Sequence, residues 1–183
     1  MEDREQALSS LVESRNRLRA TVAGLSEEQR RFRPAPDRWS IVECIEHLTV
    51  VEKFTLARTQ RLLQEAPANT PETQGKDDVI LTRVPGRAQR VKGPEAVLPT
   101  GRWPDFEELM RQFETARQQT IDFARDTQAG LLRERHFPHP FLGPLDCQQW
   151  LLFLGAHCER HVRQMEEVKA DPAFPGHAGS AMA

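Results

Sequence analysis

The chain has 183 residues, 38% hydrophobic and 28% charged, with a net charge of −2, and its mean hydropathy of −0.61 describes one soluble globular domain. A pI near 6.3, with no interleaving of basic and aromatic residues, excludes the electrostatic footprint of a nucleic-acid binder. The longest apolar run, residues 150–156, is too short to span a bilayer, and Met1-Glu2-Asp3-Arg4-Glu5-Gln6 lacks a signal-peptide shape, so the expected location is the cytoplasm.

Leu8, Leu11, Arg15, Leu18, Val22 and Leu25 recur at gaps of three and four, predicting a first helix over residues 3–24 with Gly24 as its stop. Arg15 interrupts that stripe and reads as an edge residue with its charge in water. Ser26-Glu27-Glu28-Gln29 can cap one turn, after which Pro34 and Pro36 forbid a helix and make a connector. Trp39-Ser40-Ile41-Val42-Glu43 then forms a capping box, in which the Ser40 hydroxyl and the Glu43 carboxylate satisfy each other's backbone amides. The second helix runs from there to about residue 64. Its apolar face carries Ile41, Cys44, Ile45, His47, Leu48, Val51 and Phe54, so a histidine stands where a core residue belongs.

Residues 67–103 hold five prolines and four glycines with no sustained period, and only 77–84 suits a short helix. So long a segment reads as functional, as a crossover along the molecule, or as both. Arg83, Arg87, Arg90 and Lys92 make it locally basic. A solvated loop is the simpler explanation, and these arginines with Trp103 are the candidates for contact with a cofactor. Trp103-Pro104-Asp105-Phe106 opens a third helix with Phe106, Leu109, Phe113, Ala116, Thr120 and Phe123 on one stripe, ending before Gly130. His136-Phe137-Pro138-His139-Pro140-Phe141-Leu142-Gly143-Pro144 reads as a proline-rich turn, and no segment shows strand alternation. The fourth helix follows from about residue 145 to 169, and 171–183 reads as a frayed, disordered tail that includes His177.

The inward stripe of the fourth helix runs Trp150, Leu154, His157, His161, Gln164 or Met165, and Val168. A spacing of four sets two imidazoles on one face about 5–6 Å apart at Cβ, which suits a single divalent cation. Paired core histidines bonded to backbone would explain that spacing equally well. The third inward histidine, His47, shifts the weight. Four amphipathic helices imply an all-α four-helix bundle, and the long second connection implies the order up-down-down-up. His47 lies about 10 Å from the start of its helix, and His161 and His157 lie roughly 12 and 18 Å before the end of theirs. Antiparallel packing of those two helices brings all three rings to one level.

Three neutral imidazoles leave a coordination position open, the donor count of a catalytic site. Zinc is the default ion, with nickel, iron and manganese as alternatives. The connector with Trp39, the 85–103 segment with Trp103, and the start of the tail are expected to roof the site. Glu43 could serve as a general base and Gln164 could bond a ligand imidazole, although capping and edge packing explain them more simply. His136 and His139 fall at the opposite end and are not expected as ligands. Cys44, Cys147 and Cys158 include no CxxC pair and read as small buried hydrophobes in a reducing compartment, with Cys44 a remote fourth ligand.

The Trp39-Ser40-Ile41-Val42-Glu43 stretch leading to His47-Leu48 has companions in His139-Pro140, Gly143-Pro144, Trp150 and His157-Cys158-Glu159-Arg160-His161-Val162-Arg163-Gln164-Met165. Together they resemble the DinB/YfiT-like superfamily of metalloenzymes over about residues 5–170, taken as one domain over 1–170. That resemblance implies a four-helix bundle with His47, His157 and His161 on a divalent metal, often as a homodimer. It also implies a thiol S-transferase or a hydrolase acting on a small molecule, since relatives use bacillithiol, mycothiol or glutathione. The loop arginines would then hold a carboxylate of the thiol or the substrate. The alternative is a non-catalytic, metal-stabilised bundle that dimerises or binds a partner under stress.

Overall fold

Reciprocal caps fix where the helices begin. In the computed structural model, which describes residues 2–65, 73–88 and 93–176, Ser40 accepts from the Glu43 amide while Glu43 accepts from the Ser40 amide. Asp146 and Gln149 do the same for the last helix, and Asp105 caps the third long helix through the Glu108 amide. Each such cap contributes about 1 kcal/mol and sets the rotation at which the helix enters the core.

The elements are α1 (Glu2–Val22), α2 (Glu27–Arg31), α3 (Ile41–Leu62), α4 (Asp77–Arg83), a 3-10 turn (Glu95–Val97), α5 (Phe106–Asp126), α6 (Ala129–Arg133), β1 (His136–His139), β2 (Gly143–Asp146) and α7 (Cys147–Lys169). Hydrogen bonds across the seams give the directions of the four long helices. Ser14 meets Cys158 and Thr21 meets Lys169, so α1 and α7 are parallel. Arg15 meets Gln118 and Arg19 meets Glu114, so α1 and α5 are antiparallel. Glu46 bonds the residues just ahead of α5 while Glu52 bonds Arg117 within it, so α3 and α5 are parallel. The result is a four-helix bundle in up-down-down-up order. Two parallel neighbours in sequence require a long crossover, which residues 63–105 supply.

Several local expectations need correction. The moderate links joining α1 to α3 and α5 to α7 permit antiparallel neighbours but do not require them. In the fold α1 packs on α7 and α5, and α3 packs on α5 and α7, which leaves α1/α3 and α5/α7 as the diagonals. The proline-rich turn contains an antiparallel hairpin pairing His136 with Asp146 and His139 with Gly143. Its prolines hide it from any alternation test, because they sit at ladder positions that a central strand would forbid. Phe54, assigned to the apolar face of α3, is 60% exposed. Residues 171–176 turn back on the bundle rather than fraying, with Phe174 buried edge-on against Phe32.

Two apolar clusters form the core. One surrounds the hairpin with Leu132, Phe137, Leu145, Trp150 and Leu151. The other holds Leu18, Ile41, Ile45, Leu109, Phe113 and Met165. A fully buried ion pair lies in the bundle interior: Arg117 donates to both Glu52 oxygens at 2.8 and 2.9 Å, and to the Leu11 carbonyl and Ser14 hydroxyl at 2.9 Å. At the α1/α7 seam, Gly155 lets the helices approach so closely that a Cβ there would lie 2.1 Å from the Ser10 hydroxyl and 3.0 Å from its backbone carbon. Among the described residues, no helix is long and apolar enough to cross a membrane.

Candidate metal centre

The capping box at Ser40 sets the phase of α3, so that His47, in its second turn, points at α7. The box at Asp146 does the same for α7, whose His157 and His161 share one face. Because α3 and α7 run antiparallel, the three rings meet at one depth. The Nε2 atoms of His47 and His157 are 3.3 Å apart, and those of His161 and His157 are 3.1 Å apart. All three residues are buried, and their ligand atoms lie within 4.8 Å of one another. Two nitrogens about 2.0–2.1 Å from a tetrahedral zinc would be separated by about 3.3 Å.

The protonation states agree with that geometry. Burial holds all three imidazoles below the ordinary histidine range. For His157 and His161 the shift is large, with neighbouring imidazoles adding repulsion against a proton. Two tautomers are fixed from outside: His47 donates from Nδ1 to the Val97 carbonyl at 2.8 Å, and His161 from Nδ1 to the Gln164 side-chain oxygen at 2.9 Å. Their Nε2 lone pairs therefore face inward. His157 can donate a proton from Nε2 to only one of them, so at least one lone pair faces another nitrogen without a hydrogen between. A shared cation would relieve that repulsion, and the donor set fits a divalent metal ion.

Aromatic rings wall the cluster. Trp39 lies stacked with His161 at 5.9 Å between centroids and tilted over His47 at 5.0 Å, while Phe153 stacks on His157 at 4.9 Å. The 3-10 turn lies over His47 through Val97. Trp103 instead packs beneath Lys53, 5.1 Å away, with its indole partly buried on the second core cluster.

The remaining candidates are dispersed. Glu43 is engaged by its cap and by Arg33. Gln164 orients His161. Arg87 grips Glu167 with two hydrogen bonds of 3.1 and 2.9 Å, near enough to disfavour a proton on His161. Arg83 is exposed at the end of α4. Arg90 and His177 lie outside the described residues. His139 is buried in the hairpin, accepting from the Phe141 and Leu142 amides at Nδ1, with its ring on Phe153. His136 is half-buried at the start of β1. Cys44 is fully buried in the second core cluster, its thiol pushed up by desolvation.

Sequence reasoning missed Glu46. The residue is 1% exposed, and its carboxylate accepts from the Thr100, Gly101 and Arg102 amides at 2.8, 2.9 and 3.2 Å, and from the Arg102 guanidinium at 2.8 Å. A helical Glu beside an apolar stripe looks like a solvated residue. Its partners come from a loop more than fifty positions away, which no local pattern announces.

Comparison with known proteins agrees with the architecture. The chain is 28% identical over 149 residues to the uncharacterized protein YuaE of Bacillus subtilis, covering 81% of this chain and 88% of that one. Among solved structures, YfiT from Bacillus subtilis, described as a probable metal-dependent hydrolase with an unusual four-helix bundle topology, superposes with a TM-score of 0.66 at 14% identity, over 92% of this chain and 87% of YfiT. The four-helix bundle protein TT2238 gives 0.60 at 19% identity, over 90% and 98%. At those identities the likeness concerns the fold. The DinB superfamily model matches residues 10–165, a span that contains all three clustered histidines, and the chain belongs to that superfamily.

Proposed function

We propose that the protein is a divalent-metal-dependent enzyme, a hydrolase first and a thiol S-transferase second, with His47, His157 and His161 as the ligands. The observation that carries this reading is the convergence of three buried, neutral imidazoles, with the Nε2 atoms of His47 and His161 at 3.3 and 3.1 Å from that of His157. Among the described residues no fourth carboxylate, thiol or imidazole joins them. That donor count is the one catalytic sites use, since structural sites are closed by a fourth protein ligand. The likeness to YfiT favours hydrolysis over the other reactions.

An ion bound there would lower the pKa of a water or thiol that joins it and so supply a nucleophile at neutral pH. The chain's own residues do the rest. Val97 and Gln164 hold two rings in the tautomer that presents Nε2, while Trp39 and Phe153 keep water from the flanks of the cluster. Zinc is the ion this donor set suits by default, and nickel is the second choice.

Metal analysis of purified protein, then assay of metal-free and reloaded samples on ester and amide panels and in thiol conjugation of monochlorobimane, tests the proposal. About one ion per chain, with turnover restored by reloading and abolished in His157→Ala, is the expected result. A bound ion with no turnover in any assay would reduce the site to a structural staple. No bound ion would remove the proposal altogether.

A further inference from the structure

The crossover that topology demands between α3 and α5 does more than connect them. Its residues 97–102 are gripped by two consecutive side chains of α3, Glu46 and His47. Successive helical residues diverge by about 100°, so the two hold the loop at separate points. His47 meets the Val97 carbonyl, and Glu46 gathers the three amides of residues 100–102. Arg102 closes the figure, donating from Nη1 to Glu46 at 2.8 Å and to the Leu98 carbonyl at 2.9 Å. Gly101 at φ +78° permits the turn that aims those amides at one carboxylate.

A carboxylate buried this deeply is costly to desolvate unless its oxygens are satisfied. Four donors satisfy this one, and all of them belong to the loop. What the carboxylate secures is the position of Val97.

We propose that Glu46 is a positioning residue for the metal centre: by clamping residues 100–102 it places the Val97 carbonyl on His47 Nδ1 and so fixes the ring that offers Nε2 to the ion. The inference rests on the metal-dependent reading for its significance, but the clamp itself exists without the ion. Its two halves are therefore tested separately.

In the metal-free protein, long-range 1H–15N correlation of the imidazoles should show His47 with its proton on Nδ1. Glu46→Gln should turn that signature into a mixture of tautomers while His161, braced by Gln164, keeps its own. In metal titrations against a chromophoric chelator, Glu46→Gln should weaken zinc binding about 10–100-fold, the range seen when a ligand's hydrogen-bond support is removed. Arg102→Ala cuts the same clamp from its exposed side and should shift both readouts in the same direction to a lesser degree, which covers the case in which Glu46→Gln folds poorly. Unchanged tautomer and unchanged affinity in either folded variant overturns the proposal. If the wild type binds neither zinc nor nickel, the metal reading fails, yet the tautomer measurement still decides whether Glu46 orients His47.

Discussion

At the scale of single residues, the chemistry depends on which nitrogen carries a proton. His139 shows this outside the cluster. Burial pushes its pKa down to about 4, and its Nδ1 already accepts from two backbone amides. The folded pKa lies below the ordinary 6.5, so the unfolded chain takes up the extra proton. The corresponding stability is fully present above about pH 6.5 and is lost as pH falls toward 4. His139→Asn keeps an acceptor for the two amides without a titrating ring. Urea midpoints of the metal-free protein should therefore decline less between pH 6.5 and 4 in this variant than in the wild type. Equal declines would show that His139 does not carry the effect. The three clustered histidines were legible from sequence because each occupied a core position on a 3.6-residue stripe. Glu46, Glu52 and Arg117 were not, because a charged residue on a helix is normally solvated, and only the fold supplies the partners that let these three be buried.

At the scale of elements, periodicity located the long helices and the capping box at Ser40 marked the start of α3, whereas the matching box at Asp146 emerged only with the fold. The hairpin escaped because a strand of four residues containing a proline has no readable alternation. The close approach of α1 and α7 escaped too, since one glycine in a helix does not reveal what lies opposite. That contact makes a sharp prediction. Gly155→Ala would thrust a methyl against Ser10, and overpacking of this kind costs about 1–3 kcal/mol. Thermal unfolding should show the loss, and adding Ser10→Gly should restore only part of it, because the backbone of residue 10 is itself within 3.0 Å. A Gly155→Ala variant as stable as the wild type would mean that the two helices separate at little cost.

At the scale of the whole molecule, the bundle's unusual order follows from its connections. Link lengths implied the up-down-down-up path, but they could not say which helices share a seam, since a connector of moderate length reaches a diagonal helix as readily as an adjacent one. The antiparallel pairing of α3 with α7 makes the histidine cluster a bridge between segments about a hundred residues apart. An ion there should therefore stabilise the entire fold. At a hundredfold excess over its dissociation constant the gain is about 2.7 kcal/mol, visible as a higher unfolding midpoint with zinc than with EDTA. His47→Ala should abolish that difference, and its persistence would place the ion elsewhere.

The parallel run of α1 beside α7 has a mechanical consequence. The beginning of one and the finish of the other sit at opposite poles, about 35 Å apart for helices of this length. Tension drawn between those poles acts along the shared seam as shear, so the interlocked ridges around Ser10 and Gly155 must slip together instead of peeling open one turn at a time.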